Sequence, residues 1–192
     1  MKKPIILASN SPRRRELLTR LGLDFTSDPA DVDERIYPGE GPEAYAVRVA
    51  LEKARVAAGR AVSGIVIAAD TIVVLGDLIL GKPADARDAE RMLCMLSGGM
   101  HRVISGLAVV DAETGRTRTS AAVTAVWFRD LAPEEIRSYV STGEPLDKAG
   151  AYGIQEKGSL LVEKIEGCYF NVVGLPVSLL GKILREFGIA LL

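Results

Sequence analysis

The chain is poor in the residues from which most catalytic and metal centres are built. It has a single histidine, His101, and two cysteines, Cys94 and Cys168, which are far apart and form no CxxC pair. A zinc site or a disulfide framework therefore has no material here, and the two thiols read as buried or idle in a reducing compartment. A Ser-His-Asp triad would have to run through His101, which stands in Met100-His101-Arg102-Val103 and reads as the start of a strand. An excess of one charge is also missing: 24 Lys and Arg face 25 Asp and Glu, a formal net charge of −1. No polyanionic partner is indicated, and any positive charge that matters must be local. No apolar run approaches the roughly 18 residues of a membrane span. The opening Met1-Lys2-Lys3-Pro4 turns apolar only from Ile5 to Ala8, too short for a signal-peptide core. The expectation is a cytoplasmic protein that binds neither membrane nor nucleic acid. Walker A and GxGxxG patterns are absent, which disfavours the common P-loop and Rossmann readings. Repeats, low-complexity tracts and linkers are absent as well. A length of 192 residues with 48% apolar and 26% charged side chains then suits one globular domain over residues 1–192, with two lobes.

What is present is a mixed order of elements. Residues 5–8 read as a short buried strand. Ser11 and Pro12 open a helix as N-cap and first residue, and Gly22 closes it. Residues 24–26 suggest a second strand. A polar loop over residues 29–41 carries Asp31, Asp33, Glu34 and Glu40. The spacing predicts a second helix over residues 42–58, stopped by Gly59, with Val47, Ala50, Leu51, Ala54 and Ala58 on one face. Residues 65–69 form another buried strand. Residues 71–75 and 78–80 make a hairpin around Gly76-Asp77. Asp85 caps a third helix that ends near Ser97-Gly98-Gly99. Two long strands over residues 102–110 and 116–128, a short helix over 133–141, a second hairpin of 160–165 with 169–173, and a last helix over 176–187 complete the chain. Helices alternate with strands early and hairpins come later, so the fold class is α/β with a mixed sheet, not a pure doubly wound fold.

Several residues break local rules. Arg13, Arg14 and Arg15 crowd the first turn of the first helix, where each cation is unfavourable by about 0.3–1 kcal/mol. Such violations mark functional sites, and free N–H groups with arginine forks suit a phosphate. A solvated arginine face paired with acids elsewhere is the competing explanation. Asp70 follows Ile65-Val66-Ile67-Ala68-Ala69. A carboxylate there needs a partner; the plain explanation is a helix N-cap or a turn residue, but with Thr71-Ile72-Val73-Val74 continuing as strand there is no helix to cap, and a metal ligand or a general base is compatible with the position. Lys53 flanks the apolar stripe of the second helix and ordinarily would snorkel. Lys82, after the first hairpin, is either a cleft residue or a plain loop charge. Glu34 sits among carboxylates that are mostly solvated. The two-glycine loop of residues 147–155 can set Tyr152 and Gln155 beside a base or sugar, Gln offering both a donor and an acceptor.

Taken together, Leu7-Ala8-Ser9-Asn10-Ser11-Pro12-Arg13-Arg14, Ala69-Asp70-Thr71-Ile72-Val73, Gly81-Lys82-Pro83, Leu96-Ser97-Gly98, Glu144-Pro145-Leu146-Asp147-Lys148-Ala149-Gly150-Ala151-Tyr152-Gly153-Ile154-Gln155 and Val173-Gly174-Leu175-Pro176 closely resemble the Maf family. The match runs over nearly the whole chain in the family's order. The resemblance implies a nucleoside triphosphate pyrophosphatase that uses a divalent cation, Mg²⁺ or Mn²⁺, to hydrolyse the α–β phosphate bond. It also implies an elongated α/β fold: a mixed β-sheet flanked by helices around a deep cleft, similar to inosine triphosphate pyrophosphatases. Asp70 takes the position of the proton acceptor. Arg13, Thr71 and Gln155 take positions linked to substrate choice, and Ser9, Arg14, Glu34, Lys53 and Lys82 match further cleft positions. Asp70 and Glu34 are the metal-ligand candidates. Residues 151–155 look like the branch acting on dTTP and UTP rather than the 7-methyl-GTP branch, whereas Asn10 and Asp33 stand where the family varies. A homodimer and a role in removing modified pyrimidine nucleotides follow from the same resemblance. The family's association with septum formation leaves a second expectation, a non-catalytic regulator of cell division. The cluster Arg13–Arg15 leaves a third, nucleic-acid binding, which the acidic balance disfavours.

Overall fold

The computed structural model describes residues 3–192. Met1 and Lys2, which open the stretch read for a leader, lie outside the described residues. The short apolar runs become strands: β1 (Ile5–Leu7), β2 (Phe25–Ser27), β3 (Ile65–Leu75), β4 (Leu78–Leu80), β5 (Met100–Asp111), β6 (Thr117–Phe128) and β7 (Val162–Glu166). They form one sheet in the order β2-β1-β3-β5-β6-β7, with β4 pairing β3 off that path. β1 runs parallel to both β2 and β3, Ile5 lying opposite Phe25 and Ile65. β4 pairs β3, and β7 pairs β6, antiparallel. The sheet is therefore mixed, as its patterning indicates. β1 and the first half of β3 are buried throughout, the signature of parallel strands covered on both faces. Gly76, at φ +58°, makes the two-residue turn that sets Leu75 opposite Leu78.

The helices are α1 (Pro12–Arg20), α2 (Pro42–Arg60), α3 (Ala86–Leu96), α4 (Pro133–Val140), α5 (Tyr169–Val173) and α6 (Val177–Glu186). Among the described residues none is long and apolar enough to cross a membrane. The caps follow local chemistry. Ser11 Oγ accepts from the Arg14 amide, and Asp85 Oδ1 accepts from the Asp88 amide at 2.8 Å.

Two expectations need correcting. α2 runs through Gly59 to Arg60, and its buried face is Tyr45, Ala46, Val49, Ala50, Ala54 and Ala57. The stripe is thus rotated from the one expected, and Val47, Leu51 and Ala58 are only half-buried. The reason is a close approach: a Cβ on Gly106 of β5 would lie 2.1 Å from the Ala46 carbonyl oxygen. Where the two backbones come that close the helix presents a small residue, Ala46. Residues 169–173, expected as a strand, instead form α5. The Asn171 side-chain amide turns inward and donates to Val103 O and Thr124 Oγ1, both at 3.0 Å. The Cys168 amide donates to the same hydroxyl at 3.0 Å. These buried bonds reward a helical turn over an extended one, and β7 finds its partner in β6.

The chain divides into two compact units. One holds the chain up to Asp70, with Ser105–Ala122 and Gly174–Leu192; the other holds Thr71–Ile104 and Val123–Val173. The first packs Ile6, Ala8, Val66, Ala68, Ala108 and Val110 against the alanines of α2. The second buries Leu93, Leu96, Val126, Phe128, Ile136 and Tyr152.

Candidate functional site

In the first unit, β1 ends at Leu7 and the chain turns into α1 through Ala8, Ser9 and Asn10. Ser9 is buried, and its Oγ accepts from the Ser11 amide at 3.2 Å and from Arg14 Nη1 at 3.1 Å. Arg14 Nε donates to the Gly174 carbonyl at 2.8 Å. The guanidinium is thereby folded back beside the start of its own helix, where the first turn carries no acid. Burial pulls Arg14 below the ordinary guanidinium range; Asp70 and Glu34 oppose that shift and Arg13 adds to it. Cation and helix N-terminus together make a partly desolvated positive centre suited to an anion. Arg15, by contrast, is exposed and fits the solvated-face explanation.

Asp70 lies within β3, not at its end, and is 9% exposed. Its partner comes from α2: Lys53 Nζ sits 2.8 Å from Asp70 Oδ1 and 2.7 Å from Glu34 Oε1. Lys53 is therefore not an ordinary snorkelling lysine. It joins a buried carboxylate on a strand to an exposed one on a loop.

That loop is more ordered than its composition suggests. Tyr45 and Arg48, both on α2, reach back to it, and neither is conspicuous in the sequence. Tyr45 Oη donates to the Glu34 carbonyl at 2.8 Å. Burial pushes the Tyr45 phenol up to about 12, with Asp70 and Glu34 adding to the shift. Arg48 Nε and Nη2 grip the Glu40 carboxylate at 2.6 and 2.9 Å. This bond holds Arg48 above the usual guanidinium range and Glu40 below the usual carboxylate range. The only local signal was the four-residue spacing of Arg48 and Glu52, which reads as a plain helix-surface pair.

Thr71, Lys82 and Gln155 belong to the second unit. Thr71 follows Asp70 on β3 and is half-buried; Lys82 and Gln155 are exposed. Tyr152 departs from the expectation that it sits beside a base or sugar. It is 5% exposed, its hydroxyl lies 2.8 Å from His101 Nε2, and its ring packs edge-on against Phe128 and His101. Tyr152 is a core anchor for the turn that precedes Gln155. His101, buried beside it, is pushed down to about 4 by desolvation and serves packing, in keeping with a strand residue. Glu144 and Tyr139 complete the frame of this segment. Glu144 Oε1 accepts from Tyr139 Oη at 2.9 Å and from the Gly158 amide at 3.2 Å. The Gly153 amide donates to Tyr139 Oη at 3.2 Å. Gly158 has no room for a side chain, since a Cβ would meet Gly153 O at 2.3 Å.

The first unit thus brings together Ser9, Arg14, Glu34, Lys53 and Asp70, with Arg13 close enough to act on Arg14 electrostatically. Cationic groups, a hydroxyl and two carboxylates offer anchoring for an anion and a proton acceptor. Among the described residues, no three His, Cys, Asp or Glu side chains converge as a metal cage. The pair Asp70 and Glu34, whose oxygens share one ammonium, still fits Mg²⁺ or Mn²⁺. Such ions are commonly held by one or two carboxylates plus substrate phosphates and water.

A family model described as Maf-like protein matches residues 4–187. The chain belongs to the Maf family. Its relatives cover the same span. A protein named dTTP/UTP pyrophosphatase from Moorella thermoacetica is 52% identical over 185 residues, 96% of this chain and 95% of that protein. Proteins of the same name from Syntrophomonas wolfei and Anaeromyxobacter dehalogenans are each 50% identical, covering 95% and 100% of this chain and 96% and 97% of their own. Among solved structures, a HAM1 protein from Coxiella burnetii aligns over 97% of this Maf chain and 100% of its own. The TM-score is 0.57 at 17% identity, a likeness of fold.

Proposed function

We propose that this Maf protein hydrolyses dTTP and UTP to the nucleoside monophosphate and pyrophosphate. The observation that carries the reading is identity of about half, end to end, to proteins bearing that name. The geometry of the first unit supplies a route. Arg14, Arg13, Ser9 and the amides at the start of α1 bind the phosphates and offset their charge. Lys53 holds Asp70 by Oδ1, which leaves Oδ2 to take a proton from water. The water oxygen bonds to phosphorus, the bridging P–O bond between the α- and β-phosphates breaks, and pyrophosphate leaves with the bond electrons. A divalent cation held by Asp70 and Glu34 would neutralise phosphate charge. Thr71 and Gln155 are assigned to substrate choice, and Lys82 to the phosphates, on the family resemblance. A homodimer, a cytoplasmic location and independence of nucleic acid belong to the same reading.

Pyrophosphate release from a panel of nucleotides, including 7-methyl-GTP, with Mg²⁺ or Mn²⁺ tests it. Failure of the pure protein to turn over any pyrimidine triphosphate overturns it. Asp70→Asn is expected to lower turnover by about 10²-fold or more while fold and nucleotide binding persist; near-normal rates would remove Asp70 as the base. A cell-division phenotype that survives in Asp70→Asn would favour the regulator instead.

A further inference from the structure

Three consecutive carbonyls of the loop over residues 29–41 are taken by side chains of α2. Arg48 Nη1 donates to Asp33 O at 3.4 Å, Tyr45 Oη to Glu34 O at 2.8 Å, and Arg48 Nη2 to Arg35 O at 2.8 Å. Arg48 is itself fixed from several directions. Glu40 binds it through both carboxylate oxygens, Glu52 accepts from Nη1 at 3.3 Å, and the Tyr37 ring covers its Cζ at 4.1 Å. Glu40 closes the loop on itself by accepting from the Tyr37 amide at 3.2 Å. At the other end, Arg60 holds Asp28 Oδ1 and Pro29 O, each at 3.1 Å.

This lacing has a defined target, the backbone around Glu34. A part-buried arginine fork is costly to place unless its donors are used. Here the Arg48 side chain is 18% exposed and that of Glu40 only 11%, whereas the Glu34 side chain is 56% exposed. The bonds from Arg48 lie on either side of Glu34, and what they leave outside is its carboxylate, delivered to Lys53 Nζ on the same helix. Lys53 carries that carboxylate's position to Asp70.

We infer that Arg48, with Tyr45, is a positioning residue of the pyrophosphatase site: it acts through Glu34, holding that carboxylate in place for the cation and the triphosphate. The inference rests on the proposed reaction and deepens it. Groups that orient a metal ligand typically change metal affinity or activity by about 10–100-fold when removed. Arg48→Gln keeps polarity and loses the fork.

The experiment is a double-mutant cycle of Arg48→Gln with Glu34→Gln, read by the Mg²⁺ concentration for half-maximal hydrolysis of dTTP. Arg48→Gln alone is expected to raise that concentration about tenfold. In the Glu34→Gln background the same change is expected to add less than about twofold, because the group it acts through is gone. Full additivity would overturn the inference, as would an Arg48→Gln enzyme with unaltered Mg²⁺ dependence. Tyr45→Phe, which removes one hydroxyl and keeps the buried ring, covers the case in which Arg48→Gln fails to fold; it is expected to raise the Mg²⁺ requirement about threefold, and no change in that requirement would overturn its part. Hydrogen exchange of residues 30–41 reads the lacing without turnover: faster exchange in Arg48→Gln than in Glu34→Gln supports it, and equal exchange in both overturns it. A wild-type protein that hydrolyses no triphosphate would remove the proposed reaction, and the exchange result would then stand separately.

Discussion

Lys53 is the most informative residue to remove. Its ammonium lies 2.8 Å from Asp70 and 2.7 Å from Glu34, and the side chains of Lys53 and Asp70 are only 14% and 13% exposed. Lys53→Met keeps the length of the stem and deletes the charge. The Glu34 half of the bridge contributes little to stability, about 0–1 kcal/mol, since that side chain is more than half exposed and screened. The Asp70 half is different, because the substitution strands a carboxylate inside the protein; breaking a buried pair costs about 3–5 kcal/mol. Arg14, which feels the Asp70 charge, offsets part of that loss. A net destabilisation of about 2–3 kcal/mol follows, or a fall in Tm of about 4–12 °C for a chain of this size. Thermal unfolding at pH 7 followed by circular dichroism measures it. The decisive comparison adds Asp70→Asn to Lys53→Met: with no charge left to strand, the double variant is expected to recover most of the loss. A fall below about 2 °C, or a double variant less stable than Lys53→Met alone, would refute the reasoning.

His101 predicts a pH dependence. Its folded pKa is depressed to about 4 from an ordinary 6.5, so between these values the unfolded chain takes up a proton that the folded chain refuses. Stability is then full above pH 6.5 and falls as pH drops toward 4, by up to about 3 kcal/mol. His101→Gln is expected to flatten that part of a pH series of urea midpoints, and an unchanged slope would contradict it. Gly106→Ala places a Cβ against the Ala46 carbonyl at 2.1 Å and the Val47 amide nitrogen at 2.5 Å, backbone atoms that cannot swing aside. It is expected to cost about 3 kcal/mol or more, and a near wild-type urea midpoint would show that α2 and β5 can separate.

Much of the fold was legible because it rests on local rules. Ser11-Pro12 starts α1, Asp85 starts α3, and Gly76-Asp77 turns β3 into β4. Buried runs at residues 5–8 and 65–69 marked the parallel strands. Local pattern and structure part where contacts distant in sequence decide. The buried face of α2 differs from the one its spacing predicts because its distance from the sheet is set by Gly106, a residue of another element. Residues 169–173 have strand-forming side chains, yet buried bonds to Thr124 and Val103 make them a helix. Tyr152 stands in a glycine-rich loop whose pattern predicts a ligand contact, whereas His101 and Phe128 draw it into the core.

The chain's own order of residues was enough to determine the family resemblance, the mixed α/β class and the arginines at the start of α1, all properties of short segments with fixed spacing. It also singled out Asp70, since a carboxylate within a buried strand is anomalous wherever it occurs. Tertiary structure alone decided what answers that carboxylate. Lys53 stands on a helix and Glu34 on a loop; neither is unusual where it sits, and only folding brings both within 3 Å of one another's charge. The same is true of Arg48 and Tyr45, whose hydrogen bonds to loop carbonyls leave no trace in side-chain pattern, because every residue has a carbonyl to offer.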